Sequence, residues 1–196
     1  MRASPADTLR DVKIYTRAGD DGTTGLYYGG RIAKNDVVIE FTGAVDEAQA
    51  SLGWARSLSE PGSEVDQLLV RVERDLWVLM AEVATAPENR RKLVAGKTLV
   101  TAEMVDALEA AIDDLASRTT LPADFVVPGE NELAAALDVA RTVVRRAERV
   151  GVPWPHEGSL VPTYLNRLSD LVWSLARFAE GDHHLMARTR VRRAPN

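Results

Sequence analysis

Eleven residues near the N-terminus, TRAGDDGTTGL from Thr16 to Leu26, bring together three glycines, two adjacent aspartates, three threonines and an arginine. Glycines allow positive φ and a close backbone approach to an anion, where successive N–H groups form a binding nest, and threonine hydroxyls add donors without bulk. The stretch lacks the spacing G-x-x-x-x-G-K-[ST] and follows no βαβ pattern, so neither a P-loop nor a dinucleotide-binding fingerprint describes it. Asp20 and Asp21 look misplaced in a phosphate loop. They would repel a nucleotide unless they bind backbone N–H groups, pair with an arginine or help to place a magnesium ion; loop shaping is the expected role of at least one.

A second set of groups lies far along the chain. Arg141, Arg145 and Arg149 fall at successive i+4 steps, with Glu148 at i+3 from Arg145, so a helix would put three guanidiniums on one face. Such a row can clamp a polyphosphate by forked hydrogen bonds, and it can equally be a solvated face paired with acidic neighbours. Asn166, Asp170, Trp173 and Arg177 form a further polar stripe, opposite Leu165, Leu168, Leu171, Leu175 and Phe178.

Helices must position these stripes. The first forty residues read differently from the rest: a short strand over Lys13 to Tyr15, then a glycine-rich loop to Lys34. After that the pattern is helical. Val37 to Leu58 is the first helix, with Val45, Leu52 and Trp54 in its core. Ser63, with Asp66 three residues on, starts a second helix whose apolar residues Val65, Leu68, Leu69, Val72, Leu76, Leu79 and Val83 recur at three-and-four spacing, and Pro87 stops it. Thr101 is the N-cap of a third helix through Arg118, with Met104, Val105, Leu108, Ile112 and Leu115 inward. A fourth runs from about Glu130 to Val150 and a fifth from about Pro162 to Glu180. The expected fold class is all-α: one domain over 1–196, with an irregular glycine-rich arm at 1–36, a five-helix up-and-down bundle at 37–180 and a basic tail at 181–196.

Composition narrows the chemistry. Without cysteine there is no disulfide framework, thiolate nucleophile or thiolate metal site. A formal charge of −5 offers nucleic acid no general attraction, so an anionic ligand must be held by local arginines. No apolar run reaches the roughly 20 residues of a membrane span, and MRASPADTLR has no apolar stretch to serve as a signal peptide; the expected location is cytoplasmic.

Taken in order, KIYTRAGDDGTTGL, Lys34 with Asp36, AVDEAQASLGWAR, FVVPGEN, ALDVARTVVRRAERV and YLNRLSDLVWSLAR closely resemble the PduO-type ATP:cob(I)alamin adenosyltransferases. The resemblance spans nearly the whole chain and implies a five-helix bundle that assembles as a homotrimer with active sites between subunits. It implies that Thr16, Arg17, Ala18, Gly19, Thr24 and Gly25 line the triphosphate of ATP and that Lys34 reaches its phosphates. From a neighbouring subunit, Arg145, Arg146, Ala147, Glu148, Arg149 and Asn166 complete the nucleotide site, with Arg145 as the chief phosphate clamp. Asp46 is expected to pair with Arg141 across the subunit boundary.

The resemblance also implies a mechanism. Cob(I)alamin attacks the 5′ carbon of ATP and expels tripolyphosphate, leaving adenosylcobalamin. The protein then needs no nucleophile of its own, because the cofactor carries the hard chemistry while the protein orients and stabilises charge. Lys34, the arginines and magnesium suit the leaving triphosphate. Phe125 takes the place of the family phenylalanine that fills the space below the corrin ring and keeps the lower ligand off cobalt. A flavin reductase and an adenosylcobalamin-dependent mutase are the implied partners.

Three departures stand out. Pro128, Gly129, Glu130 and Asn131 replace the commoner PGGT, Ala48 replaces a leucine, and His183 with His184 suggests a metal site that adjacent helical residues could not form. A corrinoid carrier and a catalytically idle ATP-binding bundle are the competing readings. Phe125 counts against the second, since a nucleotide sensor has no use for a group under a corrin ring.

Overall fold

The computed structural model describes residues 15–122, 124–155 and 157–188. Lys13 and Ile14 of the expected first strand, His156 and the end of the basic tail lie outside the described residues. Tyr15 belongs to no strand.

In place of a wholly irregular arm, the glycine-rich segment folds into a small antiparallel hairpin. Strand β1 (Thr23–Gly25) pairs with β2 (Arg31–Ala33) in the register Thr23 with Ala33, Thr24 with Ile32 and Gly25 with Arg31. Gly29 and Gly30 turn the hairpin at φ of 97° and 95°, a region that side chains strongly disfavour. The Tyr27 amide donates to the Ala84 carbonyl at 3.0 Å, tying the hairpin to the helices.

Five long helices follow: α1 (Val37–Ser57), α2 (Glu64–Val83), α3 (Ala102–Arg118), α4 (Glu132–Val150) and α5 (Val161–Glu180), with a short 3-10 helix at Pro87–Lys92. Their starts are written in the sequence. Asp36 caps α1 by accepting from the Val38 amide at 2.9 Å, Ser63 caps α2 by accepting from the Asp66 amide at 3.2 Å, and Asn131 caps α4 by accepting from the Ala134 amide at 2.8 Å. Thr101 holds the N-cap position of α3 without accepting a capping hydrogen bond on its side chain.

The helices neighbour one another in the order α2, α1, α4, α5, α3, so α1 and α3 reach partners distant in sequence. The expected stripes supply much of the core: Val45, Leu52, Leu69, Leu76, Leu79, Leu108, Leu165, Leu168 and Leu171 are almost fully buried, joined by Leu137 of α4. Two expectations are corrected. Trp54 is 52% exposed, because its position on α1 turns away from the α2–α4 seam. Arg177 is only 1% exposed, because carboxylates on α4 and α5 draw it inward and desolvated charge requires such partners.

Candidate active site

The glycine-rich loop is held in shape by Asp21 and Arg31. Asp21 Oδ1 accepts from the Thr23 amide at 2.9 Å and the Thr23 hydroxyl at 2.8 Å, and Arg31 lies 3.5 Å away. The Thr23 amide, then its hydroxyl and Arg31, hold the Asp21 carboxyl below its ordinary value. Arg31 also donates from Nε to Thr23 Oγ1 at 2.9 Å and from Nη2 to the Ala18 carbonyl. Loop shaping is therefore what Asp21 does. Arg31 was not among the sequence candidates; only the hairpin register, which sets it opposite Gly25, gives it this role.

Around that frame lie Arg17, Thr16, Lys34, Thr24 and Gly25 of the sequence candidates. Arg17 adopts a φ of 59°, with its guanidinium 5.7 Å from the Tyr15 ring centroid. Thr16 Oγ1 accepts from the Ala18 amide at 3.4 Å. Lys34 is exposed and folds its amine back over Gly19: a Cβ added at Gly19 would lie 3.1 Å from Nζ. Thr24 and Gly25 continue into a cleft of about 450 Å³, walled by Thr42, Gly43 and Asp46 of α1 and by Trp77 of α2.

The late-helix candidates occupy another surface. Arg145 and Arg149 are exposed on α4, with no carboxylate partner among the described residues. Arg146 instead pairs with Glu47 of α1. Ala147 is fully buried against the core, so its part is to let α4 pack closely and not to touch a ligand with its side chain. Glu148 accepts from Asn166 Nδ2 at 3.1 Å, and Asn166 Oδ1 accepts from Arg167 at 2.6 Å, so two nucleotide candidates are already joined.

A second cleft, of about 580 Å³, lies beneath the FVVPGEN segment. Phe125 stands at its rim, 76% exposed, above Arg141, Trp173 and Arg177. Arg177 donates to Asp138 Oδ2 and to Glu180 Oε1, both at 2.7 Å, while Arg141 Nε lies 3.5 Å from Asp138 Oδ1. That Nε is buried and has no hydrogen-bond acceptor, a donor that folding leaves unsatisfied. Asp138 and Glu180 escaped the sequence reading, although Asp138 sits three residues before Arg141 on the same face.

In one chain, Asp46 lines the first cleft and Arg141 the second, and the two clefts share no lining residue. A family model described as cobalamin adenosyltransferase matches residues 14–179, which include both clefts and the loop. The chain belongs to the cobalamin adenosyltransferase family. Curated corrinoid adenosyltransferases include one from Mycobacterium tuberculosis, 40% identical over 90% of this chain and 93% of its own, and one from Homo sapiens, 34% identical over 88% and 70%.

Solved structures agree with that placement in the cobalamin adenosyltransferase family. A phenylalanine-to-alanine variant of a PduO-type ATP:corrinoid adenosyltransferase from Lactobacillus reuteri, complexed with cobalamin and ATP, superposes with a TM-score of 0.78 at 30% identity, covering 90% of this chain and 100% of that one. An arginine-to-lysine variant of that enzyme, complexed with ATP, gives 0.76 at 31% identity over the same shares.

Magnesium, expected beside the triphosphate, finds no ready protein cage. Asp21 already serves Thr23 and Arg31, and among the described residues no group of three His, Asp or Glu could hold a metal ion. Among those residues, too, no helix is long and apolar enough to cross a membrane.

Proposed function

We propose that this chain transfers the 5′-deoxyadenosyl group of ATP to the cobalt of cob(I)alamin, giving adenosylcobalamin and tripolyphosphate. The observation that carries this reading is the exposed Phe125 over a cleft floored by Arg141 and Arg177, in a chain similar throughout to an enzyme solved with cobalamin and ATP.

The cleft that includes Thr24 and Gly25 receives ATP. Thr16, Arg17, Ala18, Gly19 and Lys34 surround the triphosphate, with backbone amides and the lysine as donors. The Phe125 cleft receives the corrinoid, where an apolar ring suits the lower face of the macrocycle. Because the clefts are separate within one chain, transfer needs two chains. A homotrimer that pairs Arg141 with the partner subunit's Asp46 joins them and supplies the acceptor that Arg141 Nε lacks.

That assembly also brings Arg145 and Arg149, free on the α4 surface, to the partner subunit's loop, with Glu148 and Asn166 beside the nucleoside. These residues align the 5′ carbon with cobalt and stabilise charge that grows on the departing triphosphate. Magnesium held mainly by the triphosphate itself, which needs no protein cage, joins the arginines and Lys34 in meeting that charge. A flavin reductase to supply cob(I)alamin, a mutase to accept the product and a cytoplasmic location complete the reading.

The test is an anaerobic incubation of the purified chain with MgATP and chemically reduced cobalamin. Conversion of the cob(I)alamin spectrum to that of adenosylcobalamin, with one tripolyphosphate released per product, is expected. ATP binding without product would sink the transferase reading and leave the carrier or the catalytically idle ATP-binding bundle.

A further inference from the structure

The segment after α5 folds back onto the Phe125 loop. Ala187 donates its amide to the Phe125 carbonyl and Val127 donates to the Leu185 carbonyl, both at 2.7 Å, and Val126 and Met186 form an antiparallel bridge. These contacts fix the backbone at Phe125 and over the two residues that follow it. They do little to bury the segment, since Leu185 and Met186 remain exposed.

What anchors it is His184, whose side chain is 3% exposed. Its Nδ1 lies 2.6 Å from Glu180 Oε2 and its Nε2 lies 2.8 Å from the Thr120 carbonyl. The carbonyl can only accept. Glu180 forms an ion pair with Arg177 through its other oxygen at 2.7 Å, and the ionised carboxylate of such a pair has only lone pairs to offer His184. A neutral imidazole has one N–H and would point a lone pair at one of these acceptors; only the doubly protonated ring donates to both.

We infer that His184 is a positioning residue: as an imidazolium it clasps residues 184–188 onto residues 125–127 and so sets where Phe125 stands over the 580 Å³ cleft. The inference deepens, and rests on, the reading of that cleft as the corrinoid site. The clasp continues inward without a break, from His184 to Glu180, Arg177, Asp138 and Arg141. The Phe125 loop is thus tied to the buried charges of the cleft floor. Loss of one proton from His184 breaks the outer link.

The other titratable groups around it are Glu130, ahead of α4, and Asp182 and His183 of its own segment, which line the same surface groove. His183 is an exposed imidazole beside it, so His183→Asn is the control.

The experiment is amide hydrogen exchange of the full chain without ligands, reading the protection factors of Val127 and Ala187 at about pH 5 and about pH 8, the limits between which imidazoles change charge. Protection should fall about tenfold or more from the lower to the higher pH, as expected when a hydrogen bond to a charged group is lost. His184→Arg should stay protected at both values, His184→Leu at neither, and His183→Asn should behave as wild type. Equal protection of the wild type at both values, or a protected His184→Leu, would overturn the clasp.

In the transfer assay, His184→Leu should raise the KM for cob(I)alamin and leave that for ATP unchanged. If exchange responds as described and the corrinoid KM does not move, the clasp stands and the placement of the corrinoid beneath Phe125 falls.

Discussion

Lys34 and Gly19 are in contact across the mouth of the anion loop: a methyl on Gly19 would meet the lysine Nζ at 3.1 Å and the Thr23 carbonyl at 3.2 Å. The added methyl would push aside either the Lys34 amine, the proposed phosphate donor, or the Thr23 carbonyl of the hairpin. Gly19→Ala should therefore weaken ATP binding and leave the fold intact. Isothermal titration should show a loss comparable with that of Lys34→Ala, and an unchanged ATP affinity would mean that the Lys34 amine is not held at the triphosphate.

Arg145 projects from α4 with no partner among the described residues, so its removal leaves no buried group unpaired. Arg145→Ala should fold and assemble as wild type yet lose about 10²–10³ in kcat, the scale set by one preorganised donor at developing charge. Sedimentation run beside the transfer assay separates a lost clamp from lost assembly. Activity within a few-fold of wild type would remove Arg145 from the chemistry.

Asp46 and Arg141 lie in different clefts of one chain, and their pairing between chains can be read from a double-mutant cycle. Asp46→Ala and Arg141→Ala should each impair transfer, and the double variant should be little worse than either, because the pair is lost once. Strict additivity would show that the two residues act separately.

The helices were legible mainly from periodicity: of the two caps read from the sequence Ser63 accepts its hydrogen bond and Thr101 does not, while Asp36 and Asn131 cap α1 and α4 without having been singled out as caps. The hairpin was not, because its strands are three residues long and its turn is made by glycines that read simply as loop. Trp54 and Arg177 were misplaced for a shared reason. A stripe gives a direction around a helix but not which neighbour fills it, and here the neighbours come from out-of-order helices that leave Trp54 in solvent and surround Arg177 with carboxylates. The glycine-rich loop stands out by its composition; Arg31, which holds it, emerges only once Gly25 and Arg31 are seen to pair.

Gly151 follows α4 at an unremarkable φ of −74°, so conformation does not require a glycine. Packing does: a Cβ there would lie 2.4 Å from Phe41 Cζ, and the Phe41 ring rests 5.9 Å from that of Trp154. Gly151→Ala should cost about 1–3 kcal/mol by overpacking, seen as a lowered Tm. Adding Phe41→Leu should return part of it. A double variant no better than the single would point to the helix end and not the ring.

Tyr164 is wholly buried and donates to Asp75 Oδ2 at 3.0 Å. Burial, reinforced by the neighbouring Asp75, pushes its hydroxyl well above the ordinary value of 10.0, and burial also raises Asp75, partly offset by the hydrogen bond from Tyr164. For a raised group the stabilisation is complete below the unfolded value and is lost as pH rises through the folded one. Stability should therefore fall above about pH 10, where the unfolded chain ionises its tyrosine and the folded chain does not. Tyr164→Phe reverses the balance between two pH ranges. At neutral pH it leaves the Asp75 carboxylate without its donor and should cost about 1–3 kcal/mol; in alkali it removes the group whose ionisation drives unfolding, so its stability should decline less steeply than that of the wild type. Denaturant melts at neutral pH and above pH 10 would reveal the crossing trend, and parallel pH curves for the two proteins would exclude Tyr164 as the alkaline trigger.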